Sequence, residues 1–275
     1  MIRRAQFAGS WYPGRAEALR REVERFISAG GKASAALGLL APHAGYVYSG
    51  SVAGRGYAAV DVPRSVIVIA PAHRHARHAV SVWTGGPWQT PLGEVPIDEE
   101  LRRAILEGCA CASGDDLAHQ DEHSLELQLP FLQVRRPDVA IVPIVVATRD
   151  PATLRELGVA CARAARERKG ISGGAPDVLV VASSDMTHYE SAGAAKRKDE
   201  LALAKVLALD PDGLLDTVER NGISMCGASP AAAMLHAAKE LGAGRAEVVA
   251  YGTSGDVTGD ESEVVGYAAV AIRQA

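Results

Sequence analysis

Short apolar runs alternate with helical patterns along most of the chain. The runs at 36–41, 65–70, 79–83, 139–147, 177–183, 246–251 and 264–272 read as strands. Two of them, "VAIVPIVVA" (139–147) and "DVLVVAS" (177–183), are apolar without polar alternation, the pattern of a strand covered on both faces. Between the runs, residues 15–28 place Leu19, Val23, Phe26 and Ile27 on one helical stripe. Asp150-Pro151 and Ser229-Pro230 each read as an N-cap followed by proline in a first helical turn. Further helices fit 97–108, 124–134 and 195–208, and Pro211-Asp212 starts another. Such alternation predicts an α/β fold with a largely parallel central sheet flanked by helices. The stretch "GISGGAP" (170–176) is a loop rather than a linker, so residues 1–275 are expected to form one domain.

Composition narrows the function classes. Hydrophobic residues are 48% and charged residues 23%, ordinary for a globular chain with a sizeable core. A net charge of −4 offers no global basic field for nucleic acid or anionic lipid. The one basic cluster, "RAARERKG" (163–170), reads as a solvated helix end that complements the helix dipole. No apolar run approaches the roughly 20 residues needed to span a bilayer. The opening "MIRRAQFAGSWYPG" lacks a signal-peptide apolar core, so a cytoplasmic protein without membrane contact is expected. The four cysteines include no C-x-x-C pair; Cys109, Cys111 and Cys161 read as small hydrophobes.

The candidate chemistry lies at strand ends. "LLAPHAGY" (39–46) and "VIAPAHRH" (68–75) each finish an apolar run with Ala-Pro and then present His43 or His73. Proline cannot continue a ladder and stiffens the exit, so the imidazole is held at the sheet rim. A third strand end, "VVASSDMTHY" (180–189), carries Asp185 and His188. Ligands of open α/β sheets bind beyond the carboxyl ends of the strands. Each histidine alone is as well explained as a strand cap. Two in matching contexts, beside a third polar strand end, favour a divalent transition metal. In "HQDEHSLELQLPFL" (119–132), Glu122 and His123 fit a site and an acidic helix start equally well. His75 and His78 read as surface groups, and His236 as a packed or surface residue. Dinucleotide, Walker A and nucleophile-elbow motifs are absent from the sequence.

Six ordered blocks, "FAGSWYPG", "APHAGYVYSG", "APAHRH", "DEHSLELQLPFL", "SSDMTHY" and "MCGASP", resemble the Memo family, whose prokaryotic members are called AmmeMemoRadiSam system protein B. The resemblance implies the fold of the catalytic subunit of class III extradiol dioxygenases, which use non-haem iron(II). It carries metal-ligand roles onto His43, His73 and Cys226, and pocket roles onto Asp185 and His188, with His188 as the general acid/base. The dioxygenases complete their ligand set with a carboxylate where Cys226 would supply a thiolate. That softer donor admits copper or zinc as well as iron(II). A position near a helix N-terminus is expected to lower the Cys226 thiol pKa. Trp11 and Tyr48 are expected to line the pocket.

The leading expectation is a metal-dependent oxidoreductase, dioxygenase-like, acting on a small substrate for which an aromatic ring is a candidate. Two rivals remain: a peptide-binding scaffold with a vestigial metal site, and a zinc hydrolase. The family name also implies radical-SAM system partners.

Overall fold

A computed structural model describes residues 1–74, 76–168 and 177–274. His75 and the 170–176 loop lie outside the described residues. The chain opens with helix α1 (Ala16–Ser28), strand β1 (Gly38–Ala41), helix α2 (Tyr46–Ala59) and strand β2 (Ser65–Pro71). Short strands β3 (Val80–Val82), β4 (Trp88–Thr90) and β5 (Gly93–Val95) precede helix α3 (Glu99–Gly108) and strand β6 (Ala112–Gly114). Helices α4 (Leu117–Gln120), α5 (His123–Glu126) and α6 (Leu129–Arg135) lead into strand β7 (Ala140–Val146) and helix α7 (Pro151–Glu167). Strands β8 (Val178–Ser183) and β9 (His188–Glu190) are followed by helices α8 (Ala192–Leu207), α9 (Pro211–Arg220) and α10 (Ala228–Glu240). Strand β10 (Ala243–Thr253), the turn of helix α11 (Gly255–Thr258) and strand β11 (Val264–Gln274) complete the chain.

The main sheet runs β10-β11-β1-β8-β2-β7-β3-β6, with β9 also paired to β11. Its centre, β1-β8-β2-β7, is parallel throughout. Antiparallel β11 and β3 flank that centre, so the sheet is mixed at its margins. Side chains of the central strands alternate between two cores. In β2, Val66, Val68 and Ala70 face the layer containing α1, α2 and α6, while Ile67 and Ile69 face α7 and α10. In β8, Leu179 and Val181 take the first side, and Val178, Val180 and Ala182 the second. Both sides are apolar because both are covered, which is why these strands read as unbroken hydrophobic runs.

Several elements depart from the sequence reading. Helix α2 was not expected, since Gly50, Gly54 and Gly56 interrupt any apolar stripe. Their purpose is close approach. A Cβ on Gly50 would lie 2.4 Å from the Phe26 ring, and one on Gly54 2.4 Å from the Phe26 Cβ, so only glycine lets α2 pack this tightly on α1. The single helix expected over 124–134 is two, α5 and α6, broken at Leu127-Gln128 with Pro130 in the first turn of α6. Asp150 caps α7 as expected, accepting a hydrogen bond from the Thr153 amide at 2.9 Å. Ser229, however, lies inside α10, whose N-cap is Gly227. Within the basic cluster, Arg168 is ion-paired with buried Asp98 rather than simply solvated. Among the described residues no helix is long and apolar enough to cross a membrane.

Candidate metal centre

Strands β1, β8 and β2 are adjacent and parallel, so their carboxyl ends meet at one rim. His43 follows β1, Asp185 follows β8 and His73 follows β2. Residues 142 positions apart in sequence therefore touch: the Asp185 carboxylate accepts the His43 amide at 2.8 Å and the Ala44 amide at 3.3 Å. The His43 and His73 rings are 5.2 Å apart.

The protonation of both rings follows from their neighbours. Ser183 Oγ donates its one hydrogen to the Ser124 carbonyl at 2.7 Å and accepts from Gln128 Nε2 at 2.8 Å. Only a lone pair remains for His43 Nδ1, 2.8 Å away, so Nδ1 must be the donor and Nε2 carries the lone pair. Gln128 is itself oriented, since its Oε1 accepts from the Tyr57 hydroxyl and its Nε2 donates to the Pro42 carbonyl. His73 is fixed in the same way by a different group. Its Nδ1 lies 2.9 Å from Glu122 Oε1, and its amide donates to Glu122 Oε2 at 2.8 Å. Glu122 is fully buried and also accepts the Ser124 amide and hydroxyl. Burial acts against its ionised form, but the hydrogen bonds and charge of His73 and the Ser124 contacts prevail and hold its pKa at about 2. An ionised carboxylate only accepts, so His73 Nδ1 donates and Nε2 is the nitrogen left to face a cation. Such outer partners fix the orientation of metal-binding histidines.

A third imidazole joins them. Ligand atoms of His43, His73 and His123 all lie within 4.8 Å of one another. The His123 ring is 4.5 Å from that of His73 and 5.3 Å from that of His43. Burial, reinforced by the neighbouring imidazoles, pushes the pKa of His43 and of His123 down to about 3. Both are neutral at pH 7, the state in which imidazole binds a metal. The sequence left His123 balanced between site and helix start; it is the first residue of α5, and its ring lies in the histidine group.

Cys226 reaches the centre from the loop before α10. Its Sγ is 3.3 Å from His43 Nε2, although it stands outside the three-histidine group. Because Nε2 carries a lone pair, the thiol is the donor in this contact. The expected lowering of the thiol pKa is not found in the metal-free protein. Burial pushes it up, and the Asp185 carboxylate adds to the effect. Asp185 is buried too, and that burial raises its own pKa. It supports the His43 turn, and no direct hydrogen bond joins it to His188 among the described residues. His188 sits on β9, its amide donating to Ser224 Oγ at 2.7 Å. Its Nδ1 is buried without a partner. Tyr189, the next residue, has φ of 56°, a left-handed conformation that is uncommon for a bulky side chain.

Beside the centre opens a cavity of about 780 Å³. Trp11 and Tyr48 line it, with Ala44, Tyr189 and Tyr267. The histidines are not in its wall. Trp11 links the two, because its ring also packs on His123 with centroids 4.4 Å apart. Of the other histidines, His119 is fully buried and bonded to backbone carbonyls, and His236 is buried near Asp212. Both are structural.

The Memo-like protein family matches residues 3–271. A MEMO1 family protein of Methanopyrus kandleri is 39% identical over 288 residues, covering 100% of each chain. Another, from Methanosarcina mazei, is 40% identical over 273 residues, covering 98% of this chain and 99% of the relative. An uncharacterised protein of Escherichia coli K12 known by its crystal structure is similar in fold, with a TM-score of 0.58 at 17% identity. That likeness covers 86% of this chain and 98% of the other. Matched along nearly its whole length, the chain belongs to the Memo family.

Proposed function

We propose that the protein is a metal-dependent oxidoreductase of dioxygenase type, with iron(II) as its ion and a small aromatic substrate in the adjoining cavity. The observation that carries this reading is the pair of imidazoles whose Nδ1 atoms are committed as donors, so that both present Nε2 at one rim. His43 and His73 would hold the ion, with His123 and the Cys226 thiol within reach of further positions. The donor set fits. Neutral imidazoles suit iron, zinc and copper, and an adjacent thiol extends the range toward softer ions. The Cys226 thiol lies against the His43 nitrogen that would face the ion. The ion would supply oxygen binding and redox chemistry.

The chain's own residues do the rest. Glu122 keeps His73 in one tautomer and places a buried negative charge behind the site. Asp185 fixes the His43 turn. His188, with an unpartnered Nδ1, accepts and returns a substrate proton. Trp11, Tyr48 and Tyr189 offer aromatic faces to a flat substrate.

Metal analysis of anaerobically purified protein, coupled to oxygen uptake with catechol-like compounds, tests the proposal. About one iron per chain and oxygen uptake that disappears in His188→Ala are expected. Tightly held zinc with hydrolytic activity and no oxygen uptake would replace it with the zinc hydrolase. Peptide binding that is indifferent to metal and to His73→Ala would replace it with the scaffold.

A further inference from the structure

A second cluster of cysteine and carboxylate ligand atoms lies at the β6 edge of the sheet. Cys109 ends α3 and Cys111 precedes β6, and the Ala112 amide donates to the Cys109 carbonyl at 3.2 Å. This tight turn sets the two side chains together, with sulfurs 2.9 Å apart. At that distance the two thiols are in direct contact, and either can donate to the other. Glu156, from the first half of α7, brings a carboxylate to the same place. It is oriented by the Cys111 amide, which donates to Oε1 at 3.1 Å. One ligand atom from each of Cys109, Cys111 and Glu156 lies within 4.8 Å of the others. Cys109 is buried, Cys111 half-buried and Glu156 exposed, so the group has an inner floor and a solvent entrance. The His43 centre is separate. β6 stands three strands from β2 in the sheet, roughly 14 Å at ~4.8 Å per strand.

We propose that Cys109, Cys111 and Glu156 form a second cation site, selective for thiophilic divalent ions, with zinc as the best fit. Two thiolates and one carboxylate supply three of the four positions zinc takes, and water supplies the fourth. On binding, the ion enters and the two thiol protons leave to solvent. The local charge remains that of the Glu156 carboxylate, because two thiolates offset the cation. Tetrahedral bonds of about 2.3 Å hold thiolate sulfurs about 3.8 Å apart. Binding therefore replaces the thiol–thiol contact by two metal–sulfur bonds through small side-chain rotations. The hard carboxylate disfavours copper(I), which takes soft ligands alone. The sequence reading treated both cysteines as small hydrophobes, because nothing in "CAC" indicates a glutamate 45 residues on.

Cadmium titration of the reduced, full-length protein tests this, read by the ultraviolet thiolate-to-cadmium band, with zinc competition as a second readout. The His43→Ala/His73→Ala/Cys226→Ala background removes the histidine centre and its thiol. Retention of the band in that background is expected, with its loss on adding Cys111→Ala. Glu156→Gln should weaken cadmium and zinc about tenfold. Cys111 is half-buried, so Cys111→Ala keeps the fold, and a thermal melt checks that it does. A background that shows no band, or a band that survives Cys111→Ala, would overturn the site. So would air oxidation that joins Cys109 to Cys111 in a protein that never binds zinc when reduced.

Discussion

His43 and His73 stand at one rim with His188, yet the three imidazoles are held in opposite ways. Each of the first two has its Nδ1 committed to a buried acceptor, and those acceptors are themselves held, Glu122 by Ser124 and Ser183 by Gln128 and the Ser124 carbonyl. His188 is positioned through its backbone, by the Ser224 contact and the β9–β11 pairing, and its Nδ1 has no partner. It is followed by a residue in a left-handed conformation. A metal ligand gains from a fixed tautomer, because the lone pair is then aimed before the ion arrives. A proton carrier must change its protonation state in each cycle, and a permanent partner on its ring would oppose that. On the proposed function, the difference in hydrogen bonding divides the rim into a holding side and a proton-moving side.

The broadest expected effect, on metal affinity and on acid stability together, comes from removing the acceptor behind His73. Glu122→Gln should lower metal affinity 10–100-fold, as loss of an outer partner commonly does. It should also reshape acid stability in the metal-free protein. The Glu122 pKa falls from 4.5 to about 2 on folding, so its contribution is complete above about 4.5 and is lost as pH drops toward 2. That depression corresponds to ~3 kcal/mol. The neutral imidazoles of His43 and His123 act in the same direction. Their pKa values fall from 6.5 to about 3, so the unfolded chain binds more protons between those limits and acid favours it. Urea melts from pH 7 to pH 3 should show stability declining from about pH 6.5, with the lower part of the decline missing in Glu122→Gln. An unchanged profile would mean that Glu122 carries no linkage and that the holding side is not built on its charge.

The comparison is broken most directly by exchanging roles. His73→Ala should lose metal affinity at least 100-fold, whereas His188→Ala should keep it within about threefold and lose turnover. Equal metal loss, measured by calorimetry, would place His188 among the ligands.

Next comes the identity of the third ligand. His123→Ala should weaken iron(II) and zinc about tenfold, while Cys226→Ser should act mainly on copper(I), since a hydroxyl replaces a soft donor. Cys226→Ser should also abolish any thiolate-to-metal absorption of the oxidised iron or copper protein. If both metals bind the serine variant as they bind the parent, Cys226 is only a small residue beside His43.

The legible part of this molecule was whatever one strand could announce. The central strands read correctly because each is covered on both faces, and the rim histidines because Ala-Pro precedes each. Adjacent parallel strands then brought His43, Asp185 and His73 together without further instruction. What stayed hidden depends on partners distant in sequence. Glu122 is 49 residues from His73, and its charge fitted a helix start as well as a site. Helix α2 has no apolar stripe because its glycines answer to Phe26 on another helix. The thiol of Cys226 was expected to be acidified by a helix end, whereas burial beside Asp185 outweighs that field.

The smallest effect sharpens the proton-moving side. Tyr189 holds φ of 56° and is 74% exposed, so no packing requires a ring there. A left-handed conformation costs a non-glycine residue about 1–2 kcal/mol. Tyr189→Gly removes that cost but adds unfolded-state freedom worth roughly 0.5–1 kcal/mol. The net change in stability should be within ~1 kcal/mol, in the stabilising direction. Tyr189→Ala keeps the conformational cost and loses the ring. If the ring is a wall of the substrate cavity, both variants should weaken an aromatic ligand to a similar extent, about 3- to 10-fold for one aromatic contact worth ~0.5–1.5 kcal/mol. If instead the strained backbone holds His188 in place, Tyr189→Gly alone should lower turnover, with ligand affinity intact. Ligand binding and turnover measured on the two variants separate a residue that touches the substrate from one that positions its neighbour.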